Sequence, residues 1–241
     1  MKVIYLRKKH LLIGVISLII IIIVLGFIRL QRFKTQPVYY LPITNKIIAI
    51  DPGHGGVDPG AVSKSGIKED EINLEIALSL KRLIEQSGGI AIMTRETDDG
   101  LYSPQAKTLR QMKIEDLHKR KEIVDDSNSQ IFISIHMNSF TKSSYYGAQT
   151  FYKKDFEESK KLALIIQNEL KNILDINNKR EPQEREDVFL LNEVSIPTVL
   201  VECGFLSNDK EVGLLKEELY QEKIAWSIYI GIMNYFNELE N

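Results

Sequence analysis

The chain lacks several features from which a function is often read. Cys203 is the only cysteine, so no disulfide can form within the chain and cysteine usage says nothing about the cellular compartment. Its 31 Lys and Arg residues and 33 Asp and Glu residues are interspersed and leave a net charge of −2. This balance excludes the basic footprint of a nucleic-acid-binding protein. The sequence also has no internal repeat, and no low-complexity tract outside one apolar segment.

That apolar segment lies near the N-terminus. Residues 11–28 carry no charge, follow a basic start of the chain and precede Arg29. Their length reaches the lower limit for crossing a bilayer as a helix and exceeds most signal-peptide cores. Because no small-residue cleavage pattern follows, we expect an uncleaved signal-anchor over residues 1–28, with a cleaved signal peptide as the alternative. The denser positive charge before the segment predicts a cytoplasmic N-terminus and an extracytoplasmic catalytic domain.

The rest of the chain is expected to form a tether over residues 29–45 and one domain over residues 46–241, enough chain for a hydrophobic core. Short apolar runs alternate along this domain with segments of helical periodicity. The alternation predicts an α/β fold in which a mostly parallel twisted sheet is covered by helices on both faces. Strands are predicted near residues 47–51, 90–93, 131–135, 147–152 and 197–201, and helices near residues 69–86, 105–124, 156–174 and 209–237 (two helices).

Residues suited to catalysis or metal binding follow three of these strands. His54, His136 and Glu202 each come one to four residues after an apolar run. The carboxyl ends of parallel strands lie along one edge of a sheet, where open α/β folds bind their ligands. Glu69 opens the helix after the first strand, so it can lie over the same edge.

Each residue has an ordinary explanation when it is taken alone. Glu69 in a first helical turn complements the helix dipole, and His136 fits a hydrogen-bonded core histidine equally well. Glu202 is harder to explain, because a carboxylate beside a buried strand is costly unless it is paired or functional. Two histidines and two glutamates together favour a metal, since zinc binds imidazole nitrogen and carboxylate oxygen and a further acidic group can act as the base.

Four motifs containing these residues resemble the Amidase_3 family of zinc-dependent N-acetylmuramoyl-L-alanine amidases. They are DPGHGG at residues 51–56, Glu69 ahead of INL at residues 72–74, SIHMN at residues 134–138 and ECGFLSN at residues 202–208. The resemblance extends from about Ile47 to the C-terminus. Cys203 departs from the threonine or valine common in the family, but it replaces none of the matched site residues.

The resemblance implies that His54, Glu69 and His136 bind Zn²⁺ and that Glu202 is the catalytic glutamate. It implies hydrolysis of the amide between the lactyl group of N-acetylmuramic acid and L-alanine, so peptidoglycan is the expected substrate. It also leaves room for an activating lipoprotein partner.

Three further residues are candidates for the surroundings of this site. Asp51 and Asn138 stand where they can orient the histidines, although an Asp-Pro turn explains Asp51 equally well. Arg95 also follows a strand, where it can contact a stem-peptide carboxylate or pair with the neighbouring Glu96 or Asp98.

The order of anchor, tether and amidase domain resembles the spore-cortex branch of the family, which acts ahead of muramic δ-lactam formation and germination. This implies a membrane-anchored enzyme of the spore envelope, with a vegetative amidase of wall turnover or cell separation as the alternative. Two other classes stay open. A cysteine hydrolase would use Cys203, although strand alternation turns Cys203 and Glu202 to opposite sides. A non-catalytic peptidoglycan-binding protein would use the domain for attachment alone.

Overall fold

The computed structural model describes residues 8–32 and 40–240. These residues form seven helices and six strands. The helices are α1 (Lys8–Arg32), α2 (Glu69–Gln86), α3 (Leu109–Asp126), α4 (Glu157–Ile173), α5 (Phe189–Glu193), α6 (Asp209–Leu215) and α7 (Glu218–Glu240). The strands are β1 (Ile47–Pro52), β2 (Ile90–Met93), β3 (Ile131–Asn138), β4 (Gln149–Tyr152), β5 (Gln183–Glu184) and β6 (Thr198–Phe205).

The chain divides into two compact units, Met1–Tyr40 and Leu41–Asn241. In the first unit, the segment Lys8–Arg29 has a mean hydropathy of 3.4, and none of it is buried. Its length and hydropathy are sufficient for a helix that crosses a membrane. A signal sequence meets the same criterion. The helix continues past residue 28, its predicted end, to Arg32.

The predicted tether is described only in part, since residues 33–39 lie outside the described residues. Its final residues belong to the second unit, because Ile43 is completely buried in the main core. The chain therefore joins the folded domain before residue 46. Side-chain hydropathy alone did not reveal this, because Thr44, Asn45 and Lys46 separate Ile43 from the apolar run of β1.

The second unit contains a six-stranded sheet in the order β2-β1-β3-β6-β4-β5. Strands β1, β2, β3 and β6 pair in parallel, whereas β4 is antiparallel to β6. The connection from β3 to β4 contains no helix, unlike the long crossovers that join the parallel strands. The prediction of a mostly parallel sheet is confirmed. Strands β4 and β5, which pair in parallel with each other, run opposite to the other four strands.

Helices cover both faces of the sheet, as expected. On one face, buried residues of α2, α4 and α7, such as Ile76, Ile166 and Ile228, pack in one cluster with Ile48 of β1. On the other face, Val124 of α3 packs in a second cluster, together with Ala49, Phe132 and Leu190. Successive strand residues point to opposite faces, so β1 and β3 each contribute to both clusters.

The observed boundaries differ from the predicted ones where polar residues act locally. Helix α3 begins at Leu109, because Thr108 and Gln111 form a reciprocal capping box. Strands β3 and β6 continue beyond their apolar runs to Asn138 and Phe205. The sequence did not predict β5 or α5, which are too short to show a hydrophobic period.

Candidate metal centre and groove

A groove opens at the carboxyl ends of the central parallel strands. Its volume is about 770 Å³, and its lining includes His54, Glu69, His136 and Glu202. The register between β3 and β6 places His136 directly beside Glu202 on neighbouring strands. The structure thus brings together all four residues that the sequence placed at the sheet edge.

His54 lies in the glycine-rich loop after β1 and has a left-handed backbone, with a φ of 64°. This conformation costs an ordinary residue on the order of 1–3 kcal/mol, so other contacts must stabilise it. The ring is oriented by Asp58, whose Oδ2 lies 3.0 Å from His54 Nδ1 and 3.0 Å from Lys113 Nζ. Asp58 was not identified from the sequence, although its position four residues after His54 in the same loop indicates that the two side chains can pair.

Glu69, the first residue of α2, lies between the two histidines. Its Oε1 is 3.3 Å from His54 Nε2 and 3.0 Å from His136 Nδ1. The same oxygen accepts a 2.9 Å hydrogen bond from the main-chain N–H of Met137, and Oε2 accepts one of 2.8 Å from Ala61. These two main-chain donors fix the carboxylate, so its position does not depend on the histidines alone.

The charged groups of this cluster shift one another's pKa values. Burial lowers the pKa of His54, but its hydrogen bonds with Asp58 and Glu69 outweigh that effect and raise the pKa to about 9. Burial likewise raises the pKa of Glu69, and the bonds and charges of His136 and His54 outweigh it and hold this pKa well below its usual range. Glu69 is therefore an ionised, buried carboxylate that requires positive charge beside it.

These residues fit a metal ion. The candidate ligand atoms of His54, Glu69 and His136 all lie within 4.8 Å of one another. Two glycines leave the space that this approach needs: a Cβ on Gly60 would lie 2.6 Å from Glu69 Oε2, and one on Gly53 would lie 2.1 Å from His136 Cε1. Two imidazoles and one carboxylate form a ligand set typical of catalytic zinc. Histidine ligands are usually supported by a carboxylate on their other ring nitrogen, and Asp58 occupies that position at Nδ1 of His54.

Glu202 faces the groove but is only 7% exposed. Its Oε1 lies 3.3 Å from Arg185 Nη1, and its Oε2 has no hydrogen-bond partner among the described residues. Burial raises the pKa of this carboxyl group; the charge of His136 opposes that rise and the charge of Glu69 adds to it. Glu202 therefore combines a free oxygen with an increased affinity for a proton. Arg185, its neighbour, was not identified from the sequence.

The predicted role of Arg95 requires a correction. Arg95 is 4% exposed, and its guanidinium group donates hydrogen bonds to the carbonyl oxygens of Pro52, Gly53 and Asp70. Among the described residues it forms no ion pair with an acidic side chain. The predicted pairing with Glu96 or Asp98 is therefore wrong. The alternative contact with a stem-peptide carboxylate stays a prediction, which the hydrogen bonds to main-chain carbonyl groups disfavour.

Asp51 and Asn138 line the groove without binding the histidine rings. The carboxylate of Asp51 accepts hydrogen bonds of 2.7 Å from Thr94, Ser134 and Arg120. The side chain of Asn138 forms no hydrogen bond within the described part of the chain. Neither residue forms a hydrogen bond with a histidine ring. Asp51 interacts with the site through the charge of His136 and through Arg120, which binds the carbonyl oxygen of His54.

Cys203 lies on the opposite side of β6 from Glu202. It is 1% exposed, belongs to the main core cluster and is absent from the groove lining. Burial raises the pKa of its thiol well above the usual range, which disfavours the reactive thiolate. The cysteine-hydrolase alternative therefore has no support in the structure.

Comparison with known proteins agrees with the motifs. The sequence profile of Amidase_3, described as N-acetylmuramoyl-L-alanine amidase, matches residues 48–234. The chain is 40% identical over 198 residues to the germination-specific N-acetylmuramoyl-L-alanine amidase of Bacillus subtilis (strain 168), which covers 82% of this chain and 83% of that protein.

Solved structures similar to the domain include those of two amidases. One is the CwlD amidase from Clostridioides difficile in complex with the GerS lipoprotein, 55% identical with a TM-score of 0.79, covering 80% of this chain and 100% of that chain. The other is the N-acetylmuramoyl-L-alanine amidase AmiC2 of Nostoc punctiforme, 27% identical with a TM-score of 0.69, covering 80% and 97%.

Proposed function

Because the chain belongs to the Amidase_3 family of N-acetylmuramoyl-L-alanine amidases, we propose that it is a zinc enzyme in which His54, Glu69 and His136 bind the metal and Glu202 transfers protons. One observation carries this assignment: side chains from four separate parts of the sequence converge on a single groove. The amide that the family cleaves joins N-acetylmuramic acid to L-alanine in peptidoglycan.

The residues of the groove divide the chemistry between them. Zinc, when bound, supplies Lewis acidity toward a carbonyl oxygen and a water molecule. Glu202 accepts the proton of the attacking water on its unpaired Oε2 and delivers it to the nitrogen of the departing L-alanine. Arg185, 3.3 Å from the other carboxylate oxygen, holds Glu202 in place during both transfers.

Metal content and product release, measured on the same preparations, test this function. The wild-type protein should hold about one zinc per chain and release stem peptides from peptidoglycan. His136→Ala should lose both properties. Full zinc occupancy in that variant would contradict the ligand assignment, and stem-peptide release by a zinc-free preparation would contradict the metal mechanism.

We further propose that the enzyme acts in the spore envelope, ahead of muramic δ-lactam formation and germination. The support is its similarity to a germination-specific amidase. The lipoprotein bound to the CwlD amidase supports a lipoprotein partner for this chain as well. A deletion strain should then grow and sporulate normally but make cortex without muramic δ-lactam. Normal δ-lactam content would instead favour a vegetative cell-wall role.

The proposed attachment is through α1, which has the length and hydropathy of a membrane span. Full-length protein should remain in the membrane fraction through a carbonate wash and keep its N-terminus. A mature N-terminus near residue 30 or later would show a cleaved signal peptide and contradict the anchor.

A further inference from the structure

A second cavity lies outside the catalytic groove, between α6 and the loop that joins β3 to β4 (residues 139–148). Its volume is about 540 Å³, within the usual range for small-ligand sites. Its lining includes an aromatic ring and several polar side chains: Ser143, Ser144, Tyr146, Asn208, Asp209 and Lys210. None of these residues lines the catalytic groove.

The same loop exposes three aromatic side chains. The exposed fractions are 56% for Phe140, 41% for Tyr145 and 50% for Tyr146. The rings of Phe140 and Tyr145 meet edge to face with centroids 5.0 Å apart, and Tyr145 stacks on the buried Phe205 at 6.2 Å. Exposed aromatic side chains that are grouped on one loop and bordered by polar groups are typical of an interaction site.

Specific contacts hold this aromatic surface in place. The guanidinium carbon of Arg180 lies 4.5 Å from the centre of the Phe205 ring, and its Nε donates a 2.7 Å hydrogen bond to the carbonyl oxygen of Tyr146. The amide of Asn208 donates a 3.1 Å hydrogen bond to the carbonyl oxygen of Tyr145. The loop backbone is therefore positioned before any ligand arrives, which lowers the entropic cost of binding.

The polar side chains of the cavity have hydrogen-bonding capacity to spare. Within the described part of the chain, the side chains of Ser143, Ser144, Asp209 and Lys210 form no hydrogen bond or ion pair. A pyranose ring presents C–H groups on its faces and hydroxyl groups around its rim. It therefore fits an aromatic ring bordered by hydroxyl, carboxylate and ammonium groups.

The second cavity is close to the catalytic groove. Ser139 lines the groove and Ser143 lines the second cavity. Four residues of chain separate their Cα atoms by at most about 14 Å. In addition, the β3–β6 register pairs Asn138, which lines the groove, with Phe205, on which Tyr145 stacks. One extended polymer can lie across both sites.

We propose that the cavity and the rings of Phe140 and Tyr146 form a subsite for the glycan backbone of the substrate. The subsite binds an N-acetylated amino sugar adjacent to the one whose lactyl amide is cleaved. This proposal rests on the proposed function, because an adjacent sugar is present only if the substrate is peptidoglycan.

The first test compares polymeric peptidoglycan with a single muramoyl dipeptide, using full-length protein in detergent. Tyr146→Ala and Phe140→Ala should each lower the ratio of the two kcat/KM values, polymer over single sugar, by about 3- to 10-fold, the effect of one aromatic contact. Tyr146→Phe, which retains the ring, should restore the ratio. Trp226→Ala removes an aromatic side chain that is 45% exposed on α7 and serves as the matched control.

The second test titrates peptide-free glycan strands into the same proteins and needs no turnover. Tyr146→Ala should weaken this binding by a similar factor. Unchanged binding, or equal losses of activity on both substrates, would overturn the proposal. Intact glycan binding with loss of binding to a lipoprotein partner would also overturn it and identify a protein interface. Failure of the proposed function appears differently, as no stem-peptide release by the wild-type protein from either substrate.

Discussion

Arg120 Nη2 donates a 2.6 Å hydrogen bond to the main-chain carbonyl oxygen of His54. Its Nη1 donates to the carbonyl oxygen of Pro52 at 2.9 Å, and Arg95 donates to those of Pro52 and Gly53 at 2.9 and 3.1 Å. Two buried guanidinium groups thus bind three consecutive carbonyl groups. These bonds stabilise the left-handed backbone that presents the His54 ring to the groove.

Arg120→Lys should weaken zinc binding by about 10- to 100-fold, the usual effect of removing support from a metal ligand. Lysine keeps the charge but cannot reproduce the fork that spans Pro52 and His54. The measurement is a competition titration against a chromophoric zinc chelator. Arg110→Lys, at an exposed position of the same helix, is the control. Equal zinc affinity in both variants would show that Arg120 does not position His54.

Gly60→Ala should abolish tight zinc binding, because its Cβ would lie 2.6 Å from Glu69 Oε2 and 2.8 Å from His54 Cδ2. Gly66→Ala is a matched control: Gly66 also has a positive φ, of 84°, but nothing lies within 4 Å of its Cβ position. Both variants share a backbone cost of about 1 kcal/mol or more. Zinc titration and thermal unfolding together separate that shared cost from displacement of the ligands. The prediction fails if the two variants bind zinc alike.

Glu202→Gln should keep zinc and the fold but lower kcat by at least about 10²-fold, the scale of general acid–base catalysis. Glutamine has nearly the same shape but cannot accept the proton. Cys203→Ser, at the adjacent buried position of β6, should remain active. Zinc content and peptide release are measured on both variants. An inactive, zinc-loaded Cys203→Ser protein would restore the thiol mechanism.

Asp51→Asn should reduce stability in a pH-dependent way. Burial raises the pKa of Asp51, but the charge of Arg120 and several hydrogen bonds outweigh it and lower the pKa from 3.8 to about 2. A depressed pKa means that the ionised carboxylate stabilises the folded state, fully above about pH 4 and progressively less as the pH falls toward 2. The expected loss at pH 7 is on the order of 2 kcal/mol.

Urea unfolding of residues 41–241 at pH 7, 4 and 3 measures this difference between wild type and Asp51→Asn. The difference should be largest at pH 7 and should narrow between pH 4 and pH 3. A difference that stays constant over this range would show that the charge of Asp51 does not stabilise the fold.

The sequence predicted the parallel sheet from its alternation of strands and helices. It predicted that His54, Glu69, His136 and Glu202 lie together, because the carboxyl ends of parallel strands share one edge of the sheet. It did not reveal Arg185, which follows the two-residue strand β5 and has no pattern around it. Arg120 did leave a signal. It lies three residues after Leu117 and four before Val124 on the side of α3 that packs on the sheet, where a charge is unusual.

Arg95 shows the limit of reading positions alone. Its place after β2 was predicted correctly, but a strand end does not specify the direction in which a long side chain turns. The carbonyl groups of Pro52 and Gly53, at the end of β1, decide that direction because they accept its hydrogen bonds. This depends on the loop conformation, which no local pattern encodes.

The wide sequence separation of the three candidate ligands ties metal capture to the completion of folding. Strand β2 and helix α3 lie between Glu69 and His136, so an unfolded chain cannot gather the three side chains around one ion. With the proposed extracytoplasmic domain, the chain would therefore acquire its metal outside the cytoplasm. There, free zinc at 100 times its dissociation constant would add about 2.7 kcal/mol to the folded state. The stability of the folded domain would then depend on the local zinc concentration.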